Sequence, residues 1–283
     1  MARPSQTVSD FFQSIASQMR ERLGQLEPNW QERYETPTHA HDVILYLGCN
    51  VLRTPQVAHD VTRVFEKLGL NFTSVGGAQF CCGVPWARAG DTDKQERVAE
   101  TTVERFASFG ASTLVLWCPS CRVHFSESDL TQTIESRDID VIDAAEFLAG
   151  LADDGRIAWR QASTAPQRVM LHAHAGRETS EPERTRASND QRNVERILAA
   201  MPGIEIVGTA VVASELGYHC GFAEVNEPVY ESQIRQLDEQ ARQAGAEAIV
   251  TISHACQRSI TERSLVTVDV RNYAALLRDA IAA

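Results

Sequence analysis

Lysine is nearly missing from this 283-residue sequence. Lys67 and Lys94 are the only two, and almost all positive charge is arginine, which reads as a bias of genomic base composition. The 27 basic residues are outnumbered by 38 acidic ones, for a net charge of −11. Nucleic acids and anionic membranes attract basic surfaces, so neither is expected as a partner. No run approaches the roughly 18 consecutive apolar residues of a membrane span. Asp10 stands where a signal peptide would carry its apolar run, so export is not expected and the chain reads as cytoplasmic. There is no GxGxxG or Walker loop between a strand and a helix, so no nucleotide is indicated. Spacing alone assigns neither a Ser-His-Asp set nor paired carboxylates, and the catalytic residues are unknown.

The chain does contain ample core material, with 43% hydrophobic and 23% charged residues. It also has 7 cysteines. An odd count fits full disulfide pairing poorly, and in a cytoplasmic protein such cysteines read as metal ligands or redox groups.

Residues 9–24 read as an amphipathic helix, capped by Ser9 or Asp10, with Phe12, Ile15, Met19 and Leu23 on one face. It is expected to pack on its own domain or against a partner subunit. From residue 42, short β-rich runs alternate with helical ones. "DVILYLG", "LNFTSVG", "STLVLW" and "DIDVID" are expected strands; 55–68, 92–109 and 144–152 are expected helices. This order implies a parallel α/β sheet. "FASFGASTLVLWCPSC" (106–121) aligns without a gap on "ARQAGAEAIVTISHAC" (241–256), placing Cys121 on Cys256. The repeat implies two Rossmann-like α/β domains with Cys/His loops at the carboxyl ends of their strands. The expected organisation is an N-terminal helix and linker at 1–39, a first domain at 40–152, a linker at 153–165 and a second domain at 166–283.

In the first half Cys49 ends the first strand, Cys81 and Cys82 follow the second, and Cys118 and Cys121 follow the third. Loops at one edge of a parallel sheet can converge these thiols. "WCPSC" alone fits a thioredoxin-like dithiol, half a zinc site or two ligands of an iron–sulfur cluster. Neighbouring residues of an extended segment point apart, so Cys81 and Cys82 more readily reach different iron atoms than one metal. Five thiolates are one too many for tetrahedral zinc, whereas a multinuclear cluster uses them all. Gly83 beside the pair permits positive φ and close backbone approach to an inorganic centre. Trp86 and Trp117 flank these cysteines, as water shields or as ordinary core.

The pattern C-x31-CCG-x34-C-P-x-C, with "RAGD" downstream of the pair, resembles the cysteine-rich CCG domain found in the B-type subunit of heterodisulfide reductase. Related proteins occur in sulfur-oxidising heterodisulfide-reductase-like complexes, lactate and glycolate oxidation systems, and succinate or fumarate reductases. The resemblance implies that Cys49, Cys81, Cys82, Cys118 and Cys121 bind a noncubane [4Fe–4S] cluster. It implies redox chemistry on a thiol, disulfide or sulfur carrier, with electrons passing through a ferredoxin-like iron–sulfur subunit and in many cases a flavoprotein.

The second motif is degraded. "HCG" (His219, Cys220, Gly221) replaces CCG, "SHAC" replaces CPxC, and "LHAHAGR" stands near the expected first cysteine. A second five-cysteine cluster is excluded. Two readings stand: an inert remnant, or a mononuclear zinc or iron site, or redox site, drawn from His172, His174, His219, Cys220, His254 and Cys256. Residues 176–193 read as an exposed loop or as a lid over that site. The competing functions are an iron–sulfur redox subunit of a heterodisulfide-reductase-like complex, an electron-relay subunit of a lactate/glycolate or succinate/fumarate oxidoreductase, a dithiol oxidoreductase using Cys118 and Cys121, and a zinc-stabilised interaction module.

Overall fold

The computed structural model describes residues 8–24, 26–127, 129–161, 165–173, 181–211, 227–263 and 265–282. The chain divides into two compact units, Met1–Ala144 and Ala145–Ala283. The first contains α1 (Val8–Leu23), β1 (Val43–Gly48), α2 (Pro55–Lys67), β2 (Phe72–Gly76), α3 (Val84–Arg88) and α4 (Thr92–Ser108). It continues through β3 (Thr113–Leu116), α5 (Pro119–Glu127), α6 (Leu130–Glu135) and β4 (Asp140–Asp143). Single 3-10 turns at Asn50–Arg53 and Ala78–Phe80 follow β1 and β2.

The second unit begins with α7 (Ala144–Asp153), β5 (Gln167–Ala173), α8 (Glu181–Ala200) and β6 (Ile204–Val211). It ends with α9 (Glu227–Gln243), β7 (Ala248–Thr251), α10 (His254–Thr261), β8 (Asp269–Asn272) and α11 (Tyr273–Ala280). The sheets have orders β2-β1-β3-β4 and β6-β5-β7-β8, and all their pairings are parallel. Two parallel α/β units after an N-terminal helix are therefore the architecture, as the repeat implies.

β1 is buried at every position, which is why its sequence is a continuous apolar run rather than an alternating one. Tyr46 in its middle stacks on Phe125, with ring centroids 5.6 Å apart, and meets Phe106 edge-on at 5.3 Å. Burying each such ring stabilises the unit by roughly 1.5–3 kcal/mol. α1 turns Val8, Phe11, Ile15, Met19 and Leu23 inward. This spacing of three and four residues keeps one stripe facing the protein. Phe11, not Phe12, is the inward aromatic, and Ser9 and Asp10 lie inside the helix rather than capping it. The stripe packs on α2 and on the Asn50–Arg53 turn, where the Arg53 guanidinium lies 5.4 Å from the Phe11 ring centre.

In the second unit, buried Asp238 on α9 fastens that helix to the segment entering β8. It accepts hydrogen bonds from Thr267 N at 2.6 Å, Thr267 Oγ1 at 2.9 Å and Arg242 Nε at 3.1 Å. Among the described residues no helix is long and apolar enough to cross a membrane.

Candidate functional site

With strand order β2-β1-β3-β4, the chain leaves β1 towards one side of the sheet for β2, then crosses back to the other for β3. The crevice at this reversal, outside the carboxyl ends of the strands, is where doubly wound folds place their sites. Cys49 follows β1 and Cys118 follows β3, so they straddle the crevice; Cys121 lies in the first turn of α5, and Cys81 and Cys82 follow β2. All five are buried, each at most 9% exposed.

The thiols act directly on one another. Cys121 and Cys81 are hydrogen-bond partners of Cys82 and push its pKa well below the ordinary thiol value. Cys121 is pushed well above it by its hydrogen bonds with Cys118 and Cys82 and by burial. Cys81 rises through its hydrogen bond with Cys82 and burial. Cys49 rises through burial first, then through the charges of Cys82 and Cys118. All five predicted residues are thus brought together. Among the described residues no group of three or more His, Cys, Asp or Glu donors is arranged to hold a metal ion.

Three consecutive carbonyls of the paired-cysteine loop are each held by a side chain from a different element. Tyr46 on β1 donates its hydroxyl to Phe80 O at 2.8 Å. Thr102 on α4 donates Oγ1 to Cys81 O at 2.8 Å. His124 on α5 lies with Nε2 3.0 Å from Cys82 O; a carbonyl only accepts, so the imidazole proton sits on Nε2. Gly83 N donates to Cys81 Sγ at 3.3 Å. None of the three clamping side chains stands out by spacing. Two signals could have found them: a buried tyrosine needs a partner for its hydroxyl, and His124 lies three residues past Cys121, on the same helix face.

Two glycines are required by this packing. Gly48 has φ +74°, and a Cβ there would stand 2.9 Å from Cys121 Sγ. Gly83 has φ +90°, as its place beside the pair suggests. Its close approach is to α4, where a Cβ would meet Gln95 O at 2.8 Å. Of the flanking tryptophans, Trp117 is buried and Trp86 is half-buried on α3.

The second unit departs from this plan. His172 pairs with Thr251 on β7, as Tyr46 pairs with Leu116 on β3. His172 therefore occupies the strand position of Tyr46, not that of Cys49. His172, His254 and Cys256 are all buried. Cys256 packs with Tyr230 and Ile234 in a small apolar cluster. Ser253, the counterpart of Cys118, caps α10 by accepting from Ala255 N at 3.2 Å. His174, His219, Cys220 and residues 176–180 lie outside the described residues, whereas 181–193, expected as an exposed loop or lid, belong to the helix α8.

Comparison with known proteins is in keeping with this geometry. Residues 43–126 match the CCG cysteine-rich domain. The chain is 28% identical over 141 residues to the D-type subunit of dihydromethanophenazine:CoB–CoM heterodisulfide reductase from Methanosarcina mazei, covering 48% of this chain and 34% of that protein. It is 27% identical over 239 residues to the B-type subunit of fumarate reductase (CoM/CoB) from Methanothermobacter marburgensis, covering 82% of this chain and 45% of that protein. The chain thus spans less than half the length of these two relatives. A hypothetical protein from Helicobacter pylori shares the fold with a TM-score of 0.52 at 9% identity, over 96% of this chain and 54% of that one. Residues 43–126 are a cysteine-rich CCG domain, in a chain similar to subunits of heterodisulfide and fumarate reductases.

Proposed function

We propose that the first unit is the iron–sulfur redox site of a heterodisulfide-reductase-like complex. The observation that carries this reading is the burial of five cysteines from three loops at one crevice of the sheet. Buried thiolates repel one another and are poorly solvated, so they need a cationic centre to be held in the ligating form. Cys49, Cys81, Cys82, Cys118 and Cys121 would hold a noncubane [4Fe–4S] cluster, and their donor set fits one. Bound there, it would supply one-electron chemistry towards a thiol, a disulfide or a sulfur carrier.

The chain's own part is to exclude water with Tyr46, Phe125 and Trp117, and to fix the paired-cysteine loop through Tyr46, Thr102 and His124. A ferredoxin-like iron–sulfur subunit and a flavoprotein are the partners this reading calls for, and the names of the relatives support such an assembly. An oxidoreductase subunit in the cytoplasm, acting on sulfur groups, is the resulting assignment. A metal at His172, His174, His219, Cys220, His254 and Cys256 forms no part of it.

Iron, zinc and acid-labile sulfide measured on anaerobically reconstituted protein test the reading. The expected result is a brown protein with roughly four irons per chain. Zinc without iron or sulfide would establish an interaction module instead, and a colourless preparation would overturn the cluster.

A further inference from the structure

Three cations line one groove beside the paired-cysteine loop. Lys94, Arg97 and Arg105 on α4 face the Ala78–Phe80 turn across a cavity of about 360 Å³, with Gln79 and Thr101 completing its walls. Among the described residues none of the three has a carboxylate within ion-pair distance. The acidic residues of α4, Asp93, Glu96, Glu100 and Glu104, do not line the groove. Unpaired basic side chains gathered at one place are notable in a chain whose net charge is −11.

Two of the cations are held in place. Lys94 Nζ sits 3.6 Å from the centre of the Trp86 ring. The Arg105 guanidinium lies 5.2 Å from the Tyr34 ring centre and donates to Gln79 O. Arg97 between them is exposed. Positions 94 to 105 cover about 16 Å of helix at 1.5 Å per residue, far more than one small oxyanion spans. An extended segment covers that length with about five residues. Pockets for small molecules are enclosed and mostly apolar; this groove is open, elongated and cationic.

We infer that this groove docks a carboxylate-rich segment of a partner protein. The net negative charge repels such a partner elsewhere, so the groove would orient the encounter as well as attract it. The turn at Ala78–Phe80 runs directly into Cys81, and Thr102, next to Thr101, holds the Cys81 carbonyl. A partner seated here would lie against the wall of the thiol site. Its use in electron exchange rests on the redox reading above; the binding itself does not.

The test is fluorescence anisotropy of a labelled octaglutamate peptide with the 283-residue protein, with tryptophan emission followed in parallel and a Trp86→Phe variant assigning the Trp86 share. The expected result is binding that weakens steeply with salt, no binding of octaglutamine, and a Trp86 change as Lys94 leaves the ring. Arg97→Glu and Lys94→Glu should each weaken binding by about tenfold, with the circular dichroism spectrum unchanged. Unaltered affinity in both variants would overturn the proposal. So would sulfate competing at concentrations equal to the peptide, which marks a small-anion site, or tighter binding of an oligonucleotide. Octaglutamate binding by a protein that fails to take up iron would uphold the groove while sinking the cluster.

Discussion

Gly48 and Cys121 are packed so closely that a Cβ on the glycine would stand 2.9 Å from the cysteine sulfur. Gly48 also has φ +74°, a conformation that side chains resist. Gly48→Ala should therefore destabilise the first unit by about 2–4 kcal/mol and displace Cys121. Chemical denaturation would measure the first effect and iron per chain the second. Wild-type iron content and midpoint in this variant would contradict the packing described.

Tyr46→Phe keeps the ring stacked on Phe125 and removes only the donor to Phe80 O. The buried carbonyl then loses its partner, at a cost of about 1–3 kcal/mol. Thr102→Val does the same at Cys81 O. Because both bonds hold one loop, the double variant should depart from additivity. Urea denaturation of the two single variants and the double variant checks this.

Asp238 gives the second unit an acid-sensitive element. Burial alone would raise its pKa, but hydrogen bonds from Thr267, Val268 and Arg242 outweigh it and hold the value below the ordinary 3.8. A carboxyl whose folded pKa is depressed stabilises the fold above its unfolded pKa. That contribution is lost as pH falls from about 4 through the folded value. Asp238→Asn should cost about 2 kcal/mol at neutral pH and flatten the decline below about pH 4. Thermal melts from neutral pH down through the acid decline measure both effects.

Cys121 and Cys256 are sequence counterparts in different surroundings, one among thiols and the other beside Tyr230 and Ile234. Cys121→Ser should sharply lower iron and sulfide after reconstitution, whereas Cys256→Ser should leave both unchanged. Equal losses would place iron in both units.

The strand–helix alternation and the internal repeat made the two parallel units legible from sequence, because buried parallel strands are written as short apolar runs. The five cysteines were legible for the same reason: each closely follows a strand, and strand ends share an edge. The supporting shell was not. Thr102 lies on the buried face of α4, where threonine reads as filler until its carbonyl partner is known. Gly83 takes the positive φ that its place beside the pair suggests, and the contact that a Cβ there would make with Gln95 of α4 is visible only in the fold. His172 was placed by its nearness to the expected first cysteine. Only the pairing of β5 with β7 shows that it holds the position of Tyr46.

The three clamped carbonyls at Phe80, Cys81 and Cys82 also bear on how iron would arrive. The clamps come from β1, α4 and α5, so side chains of three elements hold the loop that bears two of the five thiols. Small zinc domains, by contrast, stay unfolded until their ion binds. If the cluster reading holds, these clamps would keep the paired-cysteine loop in place before iron arrives, and the metal-free chain should keep its circular dichroism spectrum and take up iron on reconstitution.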